Sequence, residues 1–588
     1  MVRSAAAALV LAASSATLAS QGLVRVTPLG PTAVPAGSGL ASVNDDLHSA
    51  IPNRGEFDVH AFLTGGSTPG HALPTTAPSA PGLSTALVNG GFYGFNGLNH
   101  FDQRTAGTGR YTNTQFNLEP PDQALCVGNG FVVESVNTAL AIYGENGVRR
   151  AGPVALNQFF GLAPEINRTT LTRGDFTSDP RCWFDWQGGH FYLVILQIDP
   201  PPGVRASILL AVSQTANPMG SWNIFKIDAT NDGNNGTPSH PGCPCLGDQP
   251  LLGADANAIF ITTNEFGATV FNGAQVYAIG KSLLNGGTGS AVFFDNLPLA
   301  EDVSYSIQPA TTPPGGQFAL GSGGTEFFAS ALDFTGTLDD RIAVWAMTGT
   351  RSLNTSNPKV TFASKVIASE TYGMPPDAEQ KDGPTPLRAL LNSTEGPGFE
   401  KLALLQTNDD RMQQAVYNDG KLWTALTTVL RPVGDSRVRA GAAWFVVAVE
   451  AQDDEIQAEL EKQGYVSSRG AYAFFPSVAV TRDNEAVIAF SLSGTQLFPS
   501  AAYVRLRGEG ASSIHLAAAG AAPEDGFTGY IGFGGNGHAR WGDYSAAVAA
   551  PDGSIWFANE YISGGPRTLL ANWATFISRI APRDEGGE

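Results

Sequence analysis

The chain has 588 residues, with 69 Gly, 38 Pro and only 15% charged side chains. Its 53 Asp and Glu outnumber 34 Lys and Arg, for a formal net charge of −19. That surplus repels phosphate backbones and argues against nucleic acid as a partner, while it suits cations and basic or neutral ligands.

The first residues read as an export signal. Arg3 supplies the positive start, Ala5 to Ala13 a short apolar core, and Thr17-Leu18-Ala19 a small-residue cleavage site. Residues 1–19 are therefore expected to be a signal peptide. Its core is too short for a membrane span, and no membrane span is expected after its removal. The protein is expected to be secreted and extracellular, with the periplasm or cell surface as alternatives. Residues 20–115 are rich in Pro, Gly, Ser, Thr and Ala. They predict an irregular arm that donates a closing strand, with one further strand at Glu56 to Leu63.

From Glu119 a pattern recurs about six or seven times: a short apolar strand, a Gly/Asp/Asn turn, and an aromatic-rich second strand. Clear copies are Arg181 to Leu196, Leu251 to Asn264, Gln413 to Thr427, Ser477 to Leu492 and Ala546 to Tyr561. Ala124 to Val136 and Gly323 to Phe334 are looser. One hairpin cannot bury its apolar face alone, so a recurring hairpin implies a stacked or closed array. After the Arg181 hairpin, Ser207 to Thr215 and Ser221 to Asp228 complete a four-strand meander. The expected fold is all-β: a β-propeller over 116–582 with seven four-stranded antiparallel blades, six being the alternative. Residues 583–588 form a polar tail. A pair of β-sandwiches is the competing architecture. The repeat spacing exceeds the roughly 40–50 residues of compact propellers. The excess is assigned to loops at Asn231 to Pro244, Ser282 to Ser306 and Leu353 to Gly398. Closure predicts that Thr568 to Ile580 lies beside an N-terminal strand.

Four cysteines in an exported chain favour disulfides. Cys126 and Cys182 lie early in successive hairpins and are a candidate pair. Cys243 and Cys245 are too close in sequence for a relaxed bridge, so all three connectivities stay open. His240, Cys243 and Cys245 also form half of a metal-ligand cluster.

In a propeller the first strand of each blade lines the channel. Aspartates introduce several of these strands: Asp122, Asp179, Asp248, Asp410 and Asp543. Second strands end near Glu265 and Glu560, with Glu134 and Asn137 more loosely placed. Antiparallel pairing puts both sets at one channel mouth, together with Arg181, Arg411 and Arg540. Crowded carboxylates offer two chemistries. Asp122, Asp179, Asp248, Asp410 and Asp543 can coordinate Ca²⁺, which takes six to eight oxygens. Alternatively, Asp179, Asp248, Glu265, Asp543 and Glu560 supply an acid–base pair with separated pKa values. The arginines can hold an anionic group by bidentate bonds, and Tyr544 and Tyr561 can stack on sugars. His538 is the one histidine beside these residues. The plain alternative is that the aspartates cap turns and pair with the arginines.

Several stretches carry a resemblance: Glu119 to Asn137, Asn167 to Thr170, Ser178 to Asp185, Leu210 to Ile227 and Cys243 to Phe266. Gly323 to Phe328, Asn408 to Leu426, Lys462 to Val466 and Arg540 to Val548 continue it. Through them the chain resembles a family of secreted bacterial β-propeller-like proteins of unknown function. The resemblance implies the propeller fold and no activity. The three arginines are also similar to those of sialidase-type propellers, but the S-x-D-x-G-x-T-W repeat is absent and Pro551 to Trp556 is a partial echo.

Two functions follow. One is a monomeric recognition module for an extracellular glycan or protein, with a structural cation such as Ca²⁺ at the mouth. The other is a polysaccharide hydrolase or lyase using a carboxylate pair on the same face.

Overall fold

The structure is a computed structural model that describes residues 21–37, 39–43, 76–86, 91–200, 205–285, 287–300, 302–332, 338–508 and 510–582. The expected signal peptide, the strand at Glu56 to Leu63 and the tail 583–588 lie outside the described residues.

The chain is all-β. Strand β1 covers Gln21–Ala33 and β2 covers Phe92–Asn99. The first meander is β3 (Ala124–Gly128), β4 (Phe131–Val136), β5 (Ala139–Gly144) and β6 (Arg149–Ala155). The second is β7 (Phe176–Asp185), β8 (His190–Ile198), β9 (Ala206–Ser213) and β10 (Ser221–Asp228). The third is β11 (Leu246–Ala254), β12 (Ala258–Phe266), β13 (Phe271–Gly280) and β14 (Gly289–Phe294). The fourth is β15 (Gln308–Thr311), β16 (Thr325–Ala331), β17 (Asp339–Thr348) and β18 (Thr361–Tyr372). The fifth is β19 (Met412–Asn418), β20 (Lys421–Pro432), β21 (Arg439–Gln452) and β22 (Glu455–Val466). The sixth is β23 (Tyr472–Val480), β24 (Ala486–Gly494), β25 (Leu497–Arg507) and β26 (Ile514–Ala518). The last is β27 (Ala546–Ala549), β28 (Ile555–Tyr561) and β29 (Ala574–Ile580), completed by β2.

Local chemistry accounts for the hairpins. Asn129-Gly130 joins β3 to β4 and Asp419-Gly420 joins β19 to β20, all four residues at positive φ. Two such residues in sequence make the turn whose twist matches paired strands. Second strands such as β24 are buried along their whole length, because a sheet packs on each of their faces. The outer strand β22 instead alternates exposed and covered positions.

Neighbouring sheets share apolar clusters. Phe159, Phe184, Phe191 and Trp222 lie between the first and second meanders. Leu125, Val132, Trp556 and Ile577 join the last meander back to the first. The first strands contact one another in the order β3, β7, β11, β15, β19, β23, β27, and β27 returns against β3. This is the closed ring of a β-propeller, and it rules out a pair of sandwiches, in which no such return occurs. Closure is made by β2, which runs antiparallel to β29 with Phe95 opposite Ile577. Strand β1 lies across the outer edges of the second and third sheets, pairing with β14 and then β10. Edges covered in this way cannot recruit another chain.

Cys126 of β3 and Cys182 of β7 are disulfide-bonded, with Cα atoms 5.4 Å apart. Cys243 and Cys245 form the second disulfide despite their closeness in sequence, because the chain doubles back at Pro244 and brings their Cα atoms to 4.2 Å. Two expectations are corrected. Gly323 to Phe334 supplies the second strand of its meander, β16, since the first strand is the short β15. The stretches read as loops at Ser282 to Ser306 and Leu353 to Gly398 contain β14, β18 and a helix over Pro386–Glu395. Outer strands are partly solvated and carry residues such as Lys365 and Glu370, so their apolar signal is weak. Among the described residues, no helix is long and apolar enough to cross a membrane.

Candidate functional site at the channel mouth

Three first strands begin with the same irregularity. Asp179-Pro180 in β7, Gln249-Pro250 in β11 and Phe475-Pro476 in β23 each place a non-glycine residue at positive φ before a proline, at 55°, 49° and 54°. Each sits where the strand register shifts. Such a bulge re-aims a side chain, and the left-handed backbone costs roughly 1–3 kcal/mol per residue. The structural equivalent of Asp179 is thus Gln249, and Asp248 stands one position earlier.

From these strand ends a connected polar network forms. The Asp543 backbone N–H donates to Asp122 Oδ1 at 2.6 Å, and Asn137 Nδ2 donates to Asp122 Oδ2. Asn137 Nδ2 also donates to Ser178 Oγ at 3.2 Å, and Ser178 Oγ donates to Asp179 Oδ1 at 3.0 Å. Residues from the first, second and last meanders therefore meet at one end of the channel.

Burial raises the Asp122 carboxyl to about 7, and the charge of Asp543 adds to the effect. Burial also holds Asp179 well above the usual carboxylate range, reinforced by Asp248, Asp122 and Asp543. Burial and the neighbouring carboxylates thus favour the neutral form of Asp179. Asp543 keeps a side chain 25% exposed and pairs with Arg540 at 3.3 Å.

The arginines divide into two kinds. Arg411 is bonded through Nε and Nη2 to both oxygens of Asp409, each at 2.6 Å, and donates to Gln249. Its guanidinium lies over Tyr305, whose hydroxyl also donates to Asp409 at 3.0 Å. Burial opposes ionisation of Asp409, but the Arg411 guanidinium holds its carboxyl below the ordinary range. Arg181 is different. Its guanidinium carbon stands 3.4 Å from the centre of the Tyr544 ring, and its buried Nε has no hydrogen-bond partner among the described residues. The ring is fixed from both ends. Tyr544 donates its hydroxyl to the Pro180 carbonyl at 2.8 Å and accepts at its own carbonyl from Gln123 at 2.9 Å.

Several expected members are elsewhere. Asp410 is fully buried, and the carboxylate that clamps Arg411 belongs to its neighbour Asp409. Glu265 is held by Asn231, His240 and Asn272 in a separate cluster. It follows Asn264 by one residue, and one step along a strand reverses the face. Glu560 is enclosed beside Asp122, accepting from the Gly542 N–H at 2.9 Å, and burial raises its carboxyl. Tyr561 is buried between β28 and β2, where its hydroxyl donates to Asn96. Tyr544 is also buried, serving as the bed for Arg181. Glu134 accepts from Leu98 and Tyr143 under the closing strand, away from the mouth. His538 faces Asp377.

Among the described residues, one group of three His, Cys, Asp or Glu side chains has its ligand atoms within 4.8 Å of one another: Cys243, Cys245 and Glu265. The aspartates Asp122, Asp179, Asp248, Asp410 and Asp543 are not so gathered, since their oxygens are spread over several hydrogen bonds and buried positions. The expected Ca²⁺ cage is not assembled. Sequence reasoning missed Asp409, Gln249, Tyr305 and Ser178; the repeated X-Pro step in Asp179-Pro180 and Gln249-Pro250 was the available signal for Gln249.

Below the mouth, the channel is lined by Leu125, Arg181, Leu252, Gln308, Gln414 and Ala547 around a cavity of about 40 Å³. A second cavity of about 30 Å³ follows, lined in part by Cys126, Trp183 and Val480. Each holds a few waters, whereas ligand pockets run to roughly 300 Å³ and more.

No protein-family model and no curated protein matches the chain. Among solved structures, a protein of unknown function from Dyadobacter fermentans is similar at 10% identity, covering 84% of this chain and 100% of that one, with a TM-score of 0.29. An exo-β-1,3-galactanase from Clostridium thermocellum is similar at 8% identity over 84% of this chain and 98% of its own, with a TM-score of 0.27. A sialidase from Streptococcus pneumoniae is similar at 11% identity over 79% of this chain and 68% of its own, with a TM-score of 0.31. Likeness this slight carries no argument about activity.

Proposed function

We propose that the chain is a secreted, seven-bladed β-propeller that recognises an extracellular glycan at the acidic mouth of its channel. In this reading residues 116–582 form the propeller, and the arm of residues 20–115 contributes the closing strand β2. The observation that carries the reading is Arg181. An arginine laid flat on a fixed aromatic ring is a preformed donor for a carboxylate or a pair of hydroxyls. Arg411 and Arg540 are already engaged by Asp409 and Asp543, so they shape the rim. Binding of the full chain to a panel of acidic and neutral oligosaccharides tests this. Arg181→Ala should reduce the affinity at least tenfold, and an unchanged profile would overturn the reading.

A second reading, hydrolysis or lysis of a polysaccharide, is favoured by the buried Asp179, its carboxyl held up by burial, lying within electrostatic reach of the partly exposed Asp543. Two carboxyl groups in unlike surroundings can act as acid and base. Under this reading Asp179→Asn abolishes product release from a bound oligosaccharide while leaving binding intact. If no oligosaccharide in the panel is cleaved by the native chain, recognition alone stands.

A further inference from the structure

We propose that the Cys243–Cys245 disulfide covers a zinc-type metal site, which opens when a thiol reductant cleaves that bond. The ligands are Cys243, Cys245 and Glu265. The cluster lies apart from the network at the mouth and does not depend on the glycan reading.

The geometry comes from two segments. The turn at Pro244 presents both sulfurs inward, and β12 presents Glu265. Both Sγ atoms and a Glu265 oxygen lie within 4.8 Å of one another, and Cys243 Sγ is 3.8 Å from Glu265 Oε1. A tetrahedral ion with Zn–S near 2.3 Å and Zn–O near 2.1 Å needs ligand atoms about 3.5–3.8 Å apart. The carboxylate is already at that distance from Cys243. The missing movement is the separation of the two sulfurs, and reduction removes the bond that prevents it.

The surroundings are those of a supported ligand. Glu265 is fully buried and oriented by Asn231 Nδ2, by Asn272 Nδ2 at 2.8 Å and by His240 Nδ1 at 2.7 Å. The other His240 nitrogen is held by Asp295 at 2.9 Å, which makes the imidazole an outer partner that fixes the ligating carboxylate. Asn272 Nδ2 also stands 3.6 Å from Cys245 Sγ. Thiolates select zinc-like ions over Ca²⁺ and Mg²⁺. Cys243 is half-exposed, which gives a reductant access.

The chemistry balances. A dithiol gives two electrons and two protons to the Cys243–Cys245 bond and becomes a disulfide, leaving two thiols. Binding of a divalent ion then displaces both thiol protons.

The experiment titrates the full chain with Co²⁺ alone, before and after treatment with a phosphine reductant. Thiols are mapped by alkylation and folding is followed by circular dichroism. The expected result is no uptake in the oxidised chain. The reduced chain should bind one Co²⁺ with a thiolate-to-cobalt absorption band. Cys243→Ser with Cys245→Ser should abolish the band while Cys126–Cys182 stays intact. Glu265→Gln should weaken binding by more than about tenfold, the loss typical even of outer partners. Should Glu265→Gln fail to fold, Glu265→Asp should keep the band at reduced affinity. Reduced thiols at Cys243 and Cys245 with no Co²⁺ uptake would overturn the proposal, and so would a band that persists in the double serine variant.

Discussion

Arg181 lies on the face of Tyr544, 3.4 Å from the ring centre, and the Tyr544 hydroxyl bonds the carbonyl of Pro180, the residue before that arginine. The two residues are 363 positions apart, and each holds the other in place. A desolvated contact of this kind contributes about 2 kcal/mol. Tyr544→Phe keeps the ring and loses one hydrogen bond, so it should cost about 1 kcal/mol and leave glycan affinity near native. Tyr544→Leu should cost more and release Arg181. Urea midpoints and binding isotherms on both variants check this, and native affinity in Tyr544→Leu would count against it.

Stability should fall as pH rises from 5 to 8. An aspartate ionises near 3.9 in an unfolded chain, whereas burial and Asp543 hold Asp122 near 7. The folded form thus keeps a proton that the unfolded form has lost. That contribution is fully present below about pH 4 and disappears as pH passes through 7. Thermal midpoints at pH 5 should exceed those at pH 8, and Asp122→Asn should flatten the slope. His240 adds to the same trend at higher pH. Although its burial works the other way, Asp295 and Glu265 raise it to about 9. On the acid side, burial lowers His100 to about 3, aided by Arg104 and Arg567. Stability from a neutral His100 is therefore lost as pH falls from about 6.5 through 3.

The closing strand depends on a close approach at Gly97. A Cβ there would lie 2.4 Å from the Glu134 carboxylate and from Thr575 Oγ1. Gly97→Ala should destabilise by about 1–3 kcal/mol through overpacking. Gly321→Ala, where the added atom meets nothing within 4 Å, should change stability by about 0.5 kcal/mol or less. Equal melting shifts for the two variants would refute the close packing of β2.

The Cys126–Cys182 bridge joins the first two sheets across a sequence separation of 56 residues. Loop-closure entropy for such a span is about 4 kcal/mol. Replacing both cysteines by alanine should lower the unfolding free energy by about 2–4 kcal/mol in denaturant melts without changing far-ultraviolet circular dichroism.

What was legible in the residues was local. The turns Asn129-Gly130 and Asp419-Gly420, and the apolar runs on either side of them, mark hairpins within a dozen positions. Their recurrence places Asp122, Asp179, Asp248 and Asp543 near strand starts, though not at equivalent positions. The outer strand β18 was not legible, because a partly solvated edge carries Lys365 and Glu370 among its apolar residues. The short β15 was missed for lack of length.

The site itself required the fold. Whether Asp409 or Asp410 meets Arg411, and whether Glu265 faces the channel or the Cys243 loop, turns on a single residue of register, which repeat spacing does not resolve. The pairing of Arg181 with Tyr544, like that of Asp122 with Asp543, exists because β27 returns against β3. Sequence by itself determined the hairpins and the acidic strand starts, since both arise from interactions between near neighbours. Ring closure decided which charges are buried, matched or left with unspent donors, because those energies depend on residues that only the tertiary structure brings together.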